Sequence, residues 1–154
     1  MSARFHLAIA VRSIEEARLF YCDFLGCESG NFEDGKWLDI NFWGNELTLH
    51  EAQHQDEIKS TQRHHVDMGK VCVPHFGIHL SRDAFDEVKK RIDGSDQHNY
   101  LDKPYLRFKD DDREQETFFI RDPSGNALEI KTMKVPESLW ELSLIHISEP
   151  TRLV

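Results

Sequence analysis

Cysteine is scarce: Cys22, Cys27 and Cys72 are the three in 154 residues, and none sits in a CxxC pair. That argues against a disulfide framework or a zinc knuckle and leaves buried thiols as the expectation. Basic residues are outnumbered, Lys+Arg 19 against Asp+Glu 28, for a formal net charge of -9. Nucleic acid and anionic membranes both reward a basic patch, so neither is expected as a partner. No apolar run approaches the length that spans a bilayer. Met1-Ser2-Ala3-Arg4 leads straight into a strand pattern without signal-peptide or transit features, so a cytoplasmic protein is expected. Histidine runs against this scarcity. Nine of them are the one compositional pointer to metal or acid–base chemistry.

The first half alternates. Phe5, Leu7, Ile9 and Val11 form one face of a strand, and His6, Ala8 and Ala10 form the other. Ser13-Ile14-Glu15-Glu16 is a capping box, opening a helix with Ile14, Ala17, Tyr21, Phe24 and Leu25 on one side and Gly26 as its stop. Residues 37–42 and 46–50 alternate again around a Gly44-Asn45 turn. The polar faces hold His6, Asp39, Asn41, Thr48 and His50 beside small Ala8 and Ala10, a composition that fits a lined cavity as well as a solvated face. Residues 53–71 are a polar connection without apolar periodicity, the kind that serves as a lid or linker. Its adjacent His64 and His65 read more simply as solvated than as a metal pair.

The second half repeats the first. Phe76, Ile78 and Leu80 alternate with His75, Gly77 and His79; Ser81 or Asp83 caps a helix carrying Phe85, Val88 and Ile92 that ends at Gly94. Residues 105–108 and 116–120 are further strands. Asp122-Pro123-Ser124-Gly125-Asn126 is turn chemistry, followed by a closing strand with Leu128 and Ile130 opposite Ala127, Glu129 and Lys131. The order is βαβββ twice. The expected fold class is therefore α+β, paired βαβββ modules forming a cupped mixed sheet. Module one covers 4–52, the linker 53–71 and module two 72–133, within one domain over 1–141. His75 and His79 are four apart, but Gly77 and the alternation mark a strand, and no HExxH is present.

The repeat has a chemical consequence. His6 and His75 take the same place on the opening strands, and Glu129 lies on the polar face of a closing strand. Two imidazoles and one carboxylate form a ligand set for a first-row divalent metal with open positions, suited to Fe(II) oxygen chemistry and to Mn, Ni or Zn Lewis-acid work.

These residues resemble the vicinal oxygen chelate superfamily, which includes glyoxalase I, bleomycin-resistance proteins, fosfomycin-resistance thiol transferases and extradiol dioxygenases. The likeness runs from Arg4 to about Met133. It rests on residues 5–9, on residues 17–21 with Leu25-Gly26, on Pro74-His75-Phe76-Gly77, and on the DPSGN turn with Glu129. It implies a cupped sheet around a metal, with His6, His75 and Glu129 as ligands. Where glyoxalase I has a fourth ligand in its first module, this chain has Thr48, a poor one. His50, two residues on, is then an acid–base group, a fourth ligand after a register shift, or a bystander. Arg107, Lys131, Tyr105 and Asn41 are candidates for anchoring substrate, Arg107 foremost because a guanidinium suits a bound anion.

The expectation is a metal-dependent enzyme, foremost an Fe2+ dioxygenase acting on a catechol-like small molecule, with Mn2+, Ni2+ or Zn2+ as other metals. A glyoxalase-like isomerase or thiol transferase is the alternative among enzymes, and a metal-free binding protein of the bleomycin-resistance kind the alternative among non-enzymes. A homodimer is expected, with the site closed within one chain or shared between two. Residues 142–154 fit none of this. Leu142 to Arg152 resembles the translation of a sequencing adaptor, and the native chain is expected to end near Glu141.

Overall fold

The alternation becomes two sheets of identical topology. In this computed structural model, residues 2–66 and 69–141 are described, so the adaptor-like tail at 142–154 lies outside them. β1 (His6–Val11), β2 (Glu28–Glu33), β3 (Trp37–Phe42) and β4 (Asn45–Glu51) form the first sheet in the order β1-β4-β3-β2. β1 is parallel to β4, and β3 is antiparallel to both neighbours. A crossover helix is what a parallel pair requires. Ser13 caps it, accepting from the Glu16 amide, and α1 covers Ile14–Arg18. The helix expected to continue to Gly26 changes to a π-helical stretch, Leu19–Phe24. The widened turn buries Phe20 and Tyr21 side by side, which 3.6-residue spacing alone does not anticipate.

The connection is not structureless. β5 (Gln62–Val66) and β6 (Gly69–Val73) pair antiparallel. Arg63 ties this ribbon to the second sheet through Asp102, N–O 2.9 Å. β7 (Phe76–His79), β8 (Tyr100–Arg107), β9 (Gln115–Arg121) and β10 (Ala127–Met133) then form that sheet, in the order β7-β10-β9-β8. Again the opening strand is parallel to the closing one. Its crossover is α2 (Arg82–Asp93), capped by Ser81 and ended at Gly94 as the sequence indicates.

One hydrophobic core spans both units. Leu38, Ile40, Leu47 and Leu49 of the first sheet join Phe118, Ile120, Leu128 and Ile130 of the second, with Phe20, Tyr21, Phe85 and Val88 from the helical segments. A polar clasp crosses the same boundary. Asp122 is 4% exposed and accepts from the Tyr21 hydroxyl at 2.8 Å. It also accepts from the amides of Ser124 and Asn126 and from the Asn126 side chain, each at 2.9 Å. Asn126 in turn donates to the Ala10 carbonyl at 3.1 Å, and the Arg12 amide donates to Ser124 Oγ at 2.8 Å. Buried carboxylates persist only when so satisfied. Among the described residues no helix is long and apolar enough to cross a membrane.

Candidate functional site

The register of the two sheets aligns the modules residue by residue. In the first, Ala8 faces Thr48; in the second, Gly77 faces Glu129. His6 and His75 each lie two residues before the aligned Ala8 and Gly77. The position of Glu129 in module one is thus taken by Thr48, whose hydroxyl donates to Asp39 at 2.8 Å.

β10 and β7 bring His75 and Glu129 together. His75 Nε2 is 3.2 Å from Glu129 Oε1, with the side chains 25% and 12% exposed. The other ring nitrogen, Nδ1, hydrogen-bonds the Cys72 carbonyl. The ring stands edge-on to Phe119, centroids 5.0 Å apart. Glu129 Oε2 accepts from the Thr117 hydroxyl at 2.6 Å and has Lys131 Nζ at 3.5 Å. Thr117 and Phe119 share this face because β9 pairs them with Lys131 and Glu129. Gly77 makes the approach of β7 to β10 feasible, since a Cβ there would stand 1.6 Å from the Glu129 carbonyl oxygen.

The electrostatics follow from these contacts. Burial by itself would raise the Glu129 carboxyl; the hydrogen bonds of His75 and Thr117 and the charge of Lys131 outweigh it and bring it to about 2. The hydrogen bond to Glu129 raises His75, against the opposing pull of burial. His79 is lowered, by burial first and then by Lys131.

The other sequence-derived candidates are dispersed. His6 is not gathered with His75 and Glu129 in one chain. It is 56% exposed on the side chain and pairs with Glu46 at 2.7 Å. His50 is exposed opposite Trp37. Arg107 is half-buried, its guanidinium 5.0 Å from the Phe108 ring centroid. Tyr105 is half-buried opposite Thr117. Asn41 is exposed and accepts from the Gly44 amide at 2.7 Å, a turn role. His64 and His65 are exposed on β5. Among the described residues of one chain, no group of three or more His, Cys, Asp or Glu side chains could hold a metal ion.

His75 and Glu129, two of the three expected ligands, stand side by side in the structure. An imidazole whose Nδ1–H is held by a backbone carbonyl presents Nε2 in a fixed direction, the usual support of a metal-bound histidine. The imidazole and carboxylate could supply two of the three protein ligands of a first-row site. Thr117 and the Cys72 carbonyl escaped sequence reasoning. Thr117 could have been found from the alternation of 116–120, which puts it and Phe119 on one face; the backbone carbonyl leaves no sequence trace. Beside the pair lies a cleft of about 370 Å³ whose lining includes Phe5, Ala8, Ala10, Lys59, His75 and Phe76. The small residues of β1 do border a cavity.

The comparisons agree with this architecture. The profile of the Glyoxalase/Bleomycin resistance protein/Dioxygenase superfamily matches residues 4–130. A glyoxalase/bleomycin resistance protein/dioxygenase from Alicyclobacillus acidocaldarius is similar in structure, with TM-score 0.66 and 26% identity over 90% of this chain and 97% of that one. A fosfomycin resistance protein from Listeria monocytogenes has the same fold, at TM-score 0.66 and 14% identity over 90% of this chain and 99% of that one. So does a lactoylglutathione lyase from Agrobacterium tumefaciens, at TM-score 0.58 and 20% identity over 92% and 98%. We find no match among curated proteins. With the profile covering most of its length and the paired βαβββ sheets on view, the chain belongs to the Glyoxalase/Bleomycin resistance protein/Dioxygenase superfamily.

Proposed function

We propose that the chain is a metal-dependent enzyme acting on a small molecule, its metal held by His75 and Glu129 of one chain and His6 of a second copy. The observation that carries this reading is the His75–Glu129 pair, 3.2 Å apart and supported from behind by Cys72 and Thr117. A divalent first-row ion bound there would polarise substrate oxygens and stabilise the anion that forms. The donor set of two imidazoles and one carboxylate favours Fe2+, and the finer reading is a dioxygenase acting on a catechol-like diol.

The chain's own residues have defined tasks in this scheme. His75 must give up the Nε2 proton it shares with Glu129 before it can act as a ligand. Thr117 holds Glu129 Oε2, which leaves Oε1 directed at His75. The exposure of His6 on the edge strand β1 leaves it open to a second copy, which supports a homodimer with a shared site. His50, exposed on the face of β1 and β4 that carries His6, moves protons, and Arg107 meets the substrate anion. A metal-free binding protein is the second reading, favoured by the Lys131 ammonium 3.5 Å from Glu129, which already balances the carboxylate.

Metal content of anaerobically purified protein, measured by mass spectrometry beside Glu129→Ala and His75→Ala, tests the proposal. About one first-row ion per chain, lost in both variants, is expected, and oxygen uptake with catechols then tests the finer reading. No ion retained after incubation with Fe(II), Mn(II), Ni(II) and Zn(II) would sink the enzyme reading and leave the binding protein.

A further inference from the structure

Lys131 is an unusual lysine. It lies on β10 two residues after Glu129, on the same face, with its side chain 18% exposed. Lysine is seldom covered this far unless its charge is paired. Within ion-pair reach among the described residues, Glu129 is its one carboxylate, at 3.5 Å. That carboxylate is already engaged by His75 on one oxygen and Thr117 on the other. Strand pairing sets Lys131 between His79 of β7 and Thr117 of β9, and neither brings a negative charge. The matching position of module one, two residues after Thr48, is His50, so the ammonium belongs to the module that holds the carboxylate.

We infer that Lys131 is the resident counter-cation of this site: it neutralises Glu129 in the metal-free chain and competes with a divalent ion for that carboxylate. The inference rests on the metal-holding reading above and adds the regulation of loading. A divalent ion arriving at Glu129 meets a like charge a few ångströms away, in surroundings where water screens poorly. Loading at Oε1 and His75 therefore works against the ammonium that stands 3.5 Å from Oε2. The ammonium remains within a side chain's reach of Glu129, where a negative group on a substrate would pair with it more strongly than a neutral one. The substrates favoured are those that present an anionic oxygen, because that oxygen relieves the repulsion between the two cations.

Titration with Mn(II), followed by calorimetry, separates the outcomes. The proteins are the parent chain, Lys131→Met and the charge-keeping Lys131→Arg, each checked for its thermal unfolding midpoint. Lys131→Met is expected to bind Mn(II) at least ten-fold more tightly than the parent, and Lys131→Arg to stay within about three-fold of it. Binding by Lys131→Met alone, with none in the parent, also supports the counter-cation. Equal affinity of parent and Lys131→Met, or weaker binding by the variant, overturns it while leaving the metal site standing. No binding by any of the three overturns both. Should Lys131→Met fail to fold, Lys131→Gln is read by the same criteria.

Discussion

Gly77→Ala should do damage out of proportion to one methyl group. The added Cβ would lie 1.6 Å from the Glu129 carbonyl oxygen, 2.6 Å from its carbon and 3.0 Å from its nitrogen. Non-bonded contacts settle near 3.5–4.0 Å, so β7 and β10 would have to part by about 2 Å or more. Neighbouring strands stand only about 4.8 Å apart, and a separation of that size breaks the ladder. The obstacle is backbone, and β10 is pinned on its other side by its pairing with β9 from Ala127 to Met133, so it cannot drift away. Overpacking costs about 1–3 kcal/mol where neighbours can adjust. Here they cannot, and about 3 kcal/mol or more is expected. For a chain of this size that lowers the melting temperature by about 6–12 °C. The control is built in: Ala8, at the aligned place in module one, already carries its Cβ opposite Thr48, and Ala8→Gly should cost only about 0.5–1 kcal/mol. Thermal unfolding of both variants decides the matter. A Gly77→Ala protein melting within about 2 °C of the parent would refute the close-approach argument.

Two further predictions concern the clasp and the charges. Tyr21→Phe removes the hydroxyl donor of the buried Asp122 and should cost about 1.5–3 kcal/mol in urea unfolding, because a hydrogen bond to a buried charge is lost; a loss below about 0.5 kcal/mol would mean the clasp is idle. For the site pair, His75 is raised above 6.5 in the folded chain, so its contribution is full below that value and fades as pH rises through the folded value. Glu129 falls from 4.5 to about 2, so its contribution is full above 4.5 and is lost as pH falls toward 2. The two overlap between 4.5 and the raised value of His75, and the ceiling set by the Glu129 shift is about 3 kcal/mol. The stability gap between parent and Glu129→Gln, from urea midpoints against pH, should be widest there and should close toward pH 2; a gap that does not vary with pH would contradict the ion pair.

Periodicity found what periodicity can find. β1, β3, β4, α2 and β10 announce themselves by apolar faces of two- or 3.6-residue spacing. Ser13 and Ser81 cap their helices, but the expected capping box is half made: the Glu16 carboxylate accepts from Arg12 instead of reaching back to Ser13. β2 does not announce itself, because Glu28–Glu33 has no buried face and owes its extension to pairing with β3 through a bulge between Ser29 and Phe32. The ribbon of β5 and β6 escapes for the same reason: β5 is exposed throughout, and the ribbon stays in place by mutual pairing and by Arg63 reaching Asp102. Tyr21 reads as one more residue on an apolar helix face, yet its hydroxyl has a buried carboxylate 101 positions away. At the site, the sequence marks His75 and Glu129, and the structure brings them together. It also marks His6, whose partner within the chain is Glu46. Glu46 lies on β4 directly across from His6, a pairing that only the parallel register of β1 and β4 reveals.

Ligation shared between two copies of the chain can be tested by mixing variants. His6→Ala and Glu129→Ala chains, each prepared alone, should retain no metal. Unfolded together and refolded as mixed dimers, they regain one intact site, formed by His6 of the Glu129→Ala chain with His75 and Glu129 of the His6→Ala chain. One bound metal per mixed dimer is expected. A mixture as empty as its two parents, from dimers shown by mass spectrometry to be mixed, would contradict shared ligation.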